Sequence, residues 1–345
     1  MVLIAGFGNP LLDITVKIPD DTLLNKYNLN EDDQKEISAD KIKSLLEDIS
    51  SLNPSMTPGG AAQNTMRILQ WVLAKPNSTI MFGAVGQDAL GKNLKALVEA
   101  AGVKTRYIEH VNEPTGTVVA LVSGACRSLV AYIGAAQHVA IDNLHATDIN
   151  TLNTVDLVYM EGFFLPDRKQ VAQYIQEFCY DSKRIFTFNL SAVYMAETYP
   201  DDILYFANNC DILIGNYREY DALIKAAKLT MNVETLVAQL SANYDNSKNL
   251  KYGKIVIMTN GSKSVLCAHS NGKTEEISVP KIEADKIGDT TGAGDAFAAG
   301  FLAGMFEGRP PTGCLRWGCW VSRQIIQQVG CTIPNYPAEF LKTIE

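Results

Sequence analysis

A chain of 345 residues, 47% of them apolar and 20% charged, can bury a large core as one domain or as a domain with an appendage. Its 30 basic and 38 acidic residues leave a net charge of −8, which argues against a nucleic-acid binder but leaves room for one bound nucleotide. No apolar run reaches the length that would cross a membrane, and the short apolar start Val2-Leu3-Ile4-Ala5 lacks the basic flank of a signal peptide.

In chain order, apolar runs of four to six residues with polar or glycine ends predict strands over Val2–Phe7, Thr79–Val85, Val155–Met160, Arg184–Asn189, Ile212–Asn216 and Lys254–Thr259. Amphipathic stretches between them predict helices over Ala61–Leu73, Asn93–Ala101, Arg168–Cys179 and Val233–Ser241. Strand and helix in alternation predict an α/β fold, a mostly parallel central sheet covered by helices on both faces. Ligands of such sheets bind beyond the carboxyl ends of the strands, so Asn9, Glu161, Asn189, Asn216 and Asn260 are the first polar groups to consider. Two regions break the alternation. Residues 14–58 carry charge runs and short strands. Residues 115–133 read as a hairpin, Thr117–Ser123 and Ser128–Ile133 about a turn at Gly124-Ala125, which suggests a small appended sheet.

The most informative stretch is Asp289-Thr290-Thr291-Gly292-Ala293-Gly294-Asp295-Ala296-Phe297. Glycines at 292 and 294 let backbone come close to a ligand. The run Ala296–Phe306 reads as a helix, so the amides of Gly292, Ala293 and Gly294 would stand at its N-terminus, where unpaired donors and the dipole favour an anion. Asp295 beside that anion suits a base that takes a hydroxyl proton during phosphoryl transfer. The plainer reading is a glycine turn with a capping Asp.

This stretch resembles the C-terminal signature of the ribokinase-like family, also called the phosphofructokinase-B family of carbohydrate and nucleoside kinases. Its N-terminal signature is matched by Gly59-Gly60-Ala61-Ala62-Gln63-Asn64 and by the run from Phe82 to Gly91. The two lie in the expected order, more than two hundred residues apart, and the resemblance covers nearly the whole chain. It implies a ribokinase-like fold: one large nucleotide- and substrate-binding domain over 1–345, with a discontinuous β-sheet lid from 14–58 and 112–135. It also implies that Gly292, Ala293, Gly294 and Asp295 are catalytic, with Arg127 of the hairpin closing on the transferred phosphoryl. Ala125 and Cys126 depart there from a commoner Asp-Asn pair.

Within the family, Asn9-Pro10-Leu11-Leu12-Asp13 and Glu161-Gly162-Phe163-Phe164-Leu165 are similar to the adenosine kinase branch. That resemblance implies adenosine as acceptor and ATP as donor, giving AMP and ADP as in purine salvage. Asp13 would bind the two ribose hydroxyls, helped by Gly60 and Asn64, and Asn9 would face the purine. Phe164, or else Phe163, would cover the base, with Gln34, Leu129 and Ala131 as further pocket positions. From the residues alone, Asp13 reads equally as a turn residue and the two phenylalanines equally as core. Thr291 occupies a position where the branch often has Asn and sugar kinases have Thr or Val. The alternative is therefore a sugar kinase of the same family with a ribose- or fructose-type acceptor. Asn216-Tyr217-Arg218-Glu219 matches the family's N-x-x-E motif, which implies that Asn216 and Glu219 organise Mg2+ indirectly, through water. ATP would run along Thr259, Gly261 and the segment from Val279 to Gly330.

Two motifs mislead. Gly86 to Asn93 fits G-x-x-x-x-G-K, but Asn93 replaces the hydroxyl that would hold Mg2+, so an ordinary surface helix is expected. Gly6-Phe7-Gly8 opens like a dinucleotide fingerprint, but Leu11 occupies the third glycine position. Seven scattered cysteines without C-x-x-C and four histidines without ligand spacing predict reduced thiols and no zinc. The expected protein is a cytoplasmic monomer with small-molecule partners, a nuclear pool remaining open.

Overall fold

The computed structural model describes residues 3–30, 34–123, 126–146, 149–242, 250–269 and 272–338. Among the described residues, fourteen strands form two sheets. In chain order they are β1 Ile4–Phe7, β2 Leu11–Lys17, β3 Gln34–Glu36, β4 Ser55–Gly59, β5 Thr79–Gly86, β6 Lys104–His110, β7 Thr117–Ser123 and β8 Cys126–Tyr132. There follow β9 Leu157–Glu161, β10 Ile185–Asn189, β11 Ile212–Asn216, β12 Ile255–Thr259, β13 Ser264–His269 and β14 Lys273–Ser278.

The nine-stranded sheet runs β14-β13-β12-β11-β10-β9-β1-β5-β6. From β12 to β6 every pairing is parallel, and β13 and β14 close the far edge antiparallel. The predicted α/β, ribokinase-like sheet is thus present, and the terminal antiparallel hairpin is an addition that alternation did not signal. From β1 the chain moves out to β5 and β6, then returns to the other side of β1 as β9. The order reverses at β1 and β9, and the crevice of a doubly wound sheet opens beyond the carboxyl ends of such a pair. Asn9 and Glu161 stand at that point.

Strand periodicity splits the core. On β9, Leu157 and Tyr159 enter one apolar cluster while Val158 and Met160 enter the other. The first cluster packs beneath the helices Ala61–Leu73, Ala293–Phe306 and Pro311–Ile325. The helix Ala293–Phe306 is buried on all sides from Ala296 to Gly304. It lies so close to Pro311–Ile325 that a Cβ on Gly300 would come within 2.6 Å of the Trp317 carbonyl oxygen. The glycines and alanines of this stretch therefore serve helix packing in the core. The false P-loop is a helix start: Asp88 caps Ala89–Ala100 by accepting from the Gly91 amide at 2.7 Å.

The five-stranded sheet runs β3-β8-β7-β2-β4. Leu12, Ile14 and Val16 of β2 and Val130 of β8 are buried on one face. Register fixes what the other face carries. Thr57, Asp13, Val118, Ala131 and Glu36 lie opposite one another in a row across the sheet, and Ala120, Leu129 and Gln34 form the next. Arg127 faces Val122 one row further on. A one-residue slip of any strand would turn these positions into the core, so the apolar alternation enforces the display. The Gly124-Ala125 turn lies outside the described residues, and of Gln34 only the backbone is described.

Candidate active site

The helix after the glycine loop begins at Ala293, three residues earlier than predicted. Gly292 is its N-cap, in the left-handed region at φ +78°. Asp295 therefore sits inside the first turn, not ahead of it. Gly292 is constrained twice, because a Cβ there would also lie 2.5 Å from Cys331 Sγ. Gly294 has open space where its Cβ would be, which leaves room for a ligand to approach the backbone. The Ala293 amide donates to Thr290 O at 3.2 Å and is committed to the turn.

Asp295 accepts from Asn64 Nδ2 at 3.3 Å. Burial pushes its carboxyl from 3.8 up to about 7, with the Asn64 amide pulling it back and the Asp13 charge pushing it further. A base poised near neutrality is suited to accept a hydroxyl proton at physiological pH. Asp13, half-buried on the open face of the small sheet, is raised to about 6 by burial, against the pull of Arg127 and Arg67. Its carboxylate fills the space a Cβ on Gly59 would need. Gly60 has φ +87° and a Cβ there would collide with the Asn9 carbonyl. The need for glycine at 60 is thus met by the chain itself, before any sugar arrives.

Arg127 pairs with Asp289 at 3.2 Å. Asp289 also accepts from the Thr291 amide at 2.9 Å, the Thr291 hydroxyl at 2.8 Å and the Gly330 amide at 3.2 Å. The small sheet therefore touches the glycine loop directly, through the first carboxylate of the motif. Thr291 is exposed and its hydroxyl is held by Asp289 rather than turned to the acceptor side.

The aromatic pair divides. Phe164 is 0% exposed, lies edge-on to Phe7, and has the Arg168 guanidinium 4.5 Å over its ring. Phe163 is half-buried and stands 5.9 Å from the exposed Tyr194. Phe163, not Phe164, is the ring with room beside it. Asn9 is spoken for as well: Arg168 donates to its Oδ1 at 2.8 Å and its Nδ2 donates to Phe163 O at 3.1 Å. Glu161 is 1% exposed and meets no side-chain donor among the described residues; the Ala62 amide and the Arg168 charge are what favour its anion. Burial, reinforced by Asp295, holds its proton far above the ordinary range.

On the other flank, Asn216 and Thr259 end neighbouring strands in register. Asn216 and Glu219 form a reciprocal capping box for the helix Tyr217–Ala226, with Glu219 Oε2 accepting from the Asn216 amide at 2.8 Å and Asn216 Oδ1 from the Glu219 amide at 3.0 Å. Glu219 Oε1 accepts from Asn216 Nδ2 at 2.6 Å. Burial raises Glu219 to about 7. Both groups spend their first contacts on each other, and no group of three His, Cys, Asp or Glu among the described residues could hold a metal directly. Gly261 turns at φ +56° with open space around it.

Residues 39–339 match the pfkB family of carbohydrate kinases. This chain belongs to that family. Among curated relatives of this pfkB member is adenosine kinase 2 of Arabidopsis thaliana, 32% identical over 338 residues, covering 97% of this chain and 96% of the relative. Among solved structures, Anopheles gambiae adenosine kinase in complex with P1,P4-di(adenosine-5) tetraphosphate is 32% identical with a TM-score of 0.82, covering 97% of this chain and 99% of that one. Schistosoma mansoni adenosine kinase in complex with 2-fluoroadenosine is 28% identical with a TM-score of 0.83, covering 96% and 97%. Two groups that contact the candidate site residues escaped the sequence, Arg67 through Asn64 and Arg168 through Asn9. Arg67 is a charged residue between buried Met66 and Ile68, whereas Arg168 is buried between the exposed Asp167 and Lys169, one more charge in a charged run. Only Arg67 therefore leaves a signal in the sequence, a charge on the apolar face of a helix.

Proposed function

We propose that this chain is an adenosine kinase, transferring the γ-phosphoryl of ATP to the 5′-hydroxyl of adenosine to give AMP and ADP. One observation carries the reading. Asn64 donates to Asp295 and stands three residues after Gly60-Ala61, while the register of β2 presents Asp13 on the open face of the small sheet. A ribose held at its 2′- and 3′-hydroxyls by Asp13 then has its 5′-hydroxyl directed toward Asp295. A site built to receive two hydroxyls discriminates against acceptors that lack them. The half-open Phe163, beside Tyr194, offers the purine a flat face.

The 5′-hydroxyl gives its proton to the Asp295 carboxylate as its oxygen bonds to the γ-phosphorus. The bond from that phosphorus to the bridging oxygen breaks, and ADP leaves with the electron pair. Backbone donors at Gly292 and Gly294 face the charge that spreads over the phosphoryl oxygens. Arg127, paired with Asp289 in this structure, transfers to the more highly charged phosphoryl when the small sheet closes as a lid over the acceptor. Asn216 and Glu219 would hold Mg2+ through water, and the bound ion would supply neutralisation of phosphate charge. Thr259 and Gly261 would line the donor path. The proposal includes a cytoplasmic monomer.

The test is ADP release from the purified protein with Mg-ATP and, in turn, adenosine, inosine, ribose and fructose. Turnover with adenosine well above the others is expected. Turnover with ribose or fructose alone would make the chain a sugar kinase of the same family.

A further inference from the structure

Arg67 is an arginine in a place that suits a leucine. The helix Ala61–Leu73 is buried at every position from Ala62 to Gln70, and Arg67 itself is 7% exposed. Burying a guanidinium costs hydration that only good partners offset. Its partners are neutral. Nη1 donates to Pro58 O at 3.1 Å, to Asn64 Oδ1 at 3.1 Å and, more weakly, to Cys331 O at 3.5 Å. Nε is buried with no partner among the described residues. Among the described residues no carboxylate is in ion-pair contact with it, so neutral oxygens alone offset its lost hydration.

The three acceptors belong to three separate parts of the site. Pro58 lies on β4, opposite Leu12, next to the glycine whose missing Cβ makes room for the Asp13 carboxylate. Asn64 is the residue that donates to Asp295. Cys331 lies against Gly292, the cap of the glycine loop. One guanidinium thus joins the acceptor sheet, the base and the anion loop, which come from distant stretches of the chain. Its charge also reaches Asp13 through space, and burial is the largest influence pulling its own pKa down.

We propose that Arg67 is a positioning residue, which holds β4 beside Asp13, the Asn64–Asp295 pair and the Gly292 cap in one register. It never touches the acceptor. It fixes the rotamer of Asn64, because Oδ1 held by Arg67 leaves Nδ2 pointing at Asp295. The inference rests on the adenosine kinase reading for the identity of the acceptor, but not for the geometry. The ionisable groups that face Arg67 are Asp13 from β2, Tyr107 from β6 and Cys331. Asp295 is reached through Asn64, and Arg127 acts on Asp13 from β8.

The experiment compares Arg67→Met, Arg67→Lys and, as a packing control, Met66→Ala, which removes a 0% exposed neighbour. kcat and KM are measured from pH 5 to 9, together with thermal stability, with whichever acceptor the wild type turns over. A wild type inactive on adenosine but active on a sugar would overturn the function and leave the Arg67 question readable on that sugar. Arg67→Met is expected to lose kcat on the order of 100-fold, as misplaced reacting groups do. Its acid limb in kcat/KM should move up by about half a pH unit or more, since a positive charge near carboxyls is gone. Arg67→Lys should restore much of the limb but little of kcat, because a point charge cannot serve three acceptors. Met66→Ala should lower the melting temperature and leave the limb in place. An Arg67→Met variant that melts early yet keeps wild-type kcat and limb would overturn the proposal. If that variant does not fold, Arg67→Lys decides alone, and wild-type kcat with it would overturn the proposal equally.

Discussion

At the scale of single residues, chemistry is carried by groups whose surroundings were bought at a cost to the fold. Asp295 has lost enough water to sit near pH 7, and Asn64 keeps it from going higher. Asp295→Asn keeps the shape and the contact to Asn64 but removes the base. It should lower kcat by roughly 100- to 10,000-fold while KM for adenosine changes a few-fold at most. Steady-state kinetics at pH 8 check this, and wild-type turnover would remove Asp295 from the mechanism. The two phenylalanines make a second test. Phe163→Ala should raise KM for adenosine roughly three- to tenfold, the worth of one ring contact, with little change in stability. Phe164→Ala empties a core site and should cost about 3–5 kcal/mol in a denaturant titration. If instead Phe164→Ala folds well and loses adenosine while Phe163→Ala binds normally, the base lies on Phe164, the first of the two positions that the family resemblance implied.

At the scale of elements, the legible parts were those whose pattern serves one purpose. The six predicted strands appear with ends shifted by up to two residues, because each is a short apolar run between polar stops. The β13–β14 hairpin was not legible. Lys273–Ser278 alternates exposed and half-buried positions at the sheet edge, and its charges guard that edge rather than mark a core strand. The helix start at Ala293 was misplaced because Gly292 adopts a left-handed cap, and a glycine in sequence does not announce its φ. Of the candidate site, the glycine loop was singled out by a local motif, and Asp13 by resemblance only, since the residues alone read equally as a turn. Arg67 and Arg168 were not, since their meaning comes from partners up to 264 residues away. The N-x-x-E motif was readable as a motif, yet the structure gives it a structural task as well. Asn216→Ala opens the capping box and should cost about 1 kcal/mol in urea, the usual worth of an N-cap. An unchanged midpoint would mean that the box contributes nothing to the helix.

At the scale of the whole molecule, the site sets a slope of stability against pH. Asp13, Asp295 and Glu219 all have folded-state pKa values above their ordinary ones, near 6, 7 and 7. Such a carboxyl binds more protons folded than unfolded between its two pKa values. Its share of stability is therefore greatest below the unfolded value and is lost as pH rises to the folded one. For Asp295 that window runs from 3.8 to about 7. Asp289 and Asp48 are lowered instead, by hydrogen bonds and nearby positive charge, and act in the opposite sense at more acid pH. The raised group can be isolated by difference. Asp295→Asn cannot ionise, so it should match the wild type near pH 4, gain on it as pH rises, and hold a constant advantage above about pH 7. The ceiling is about 1.4 kcal/mol for each pKa unit, reduced by the solvent that still reaches the partly open carboxyl. Paired urea titrations at pH 4, 5.5, 7 and 8.5 measure it. A mutant advantage that is flat across that range would mean that Asp295 is not a strained base. An advantage that grows with pH would show the same burial that opposes folding making Asp295 basic enough to take the proton of a hydroxyl.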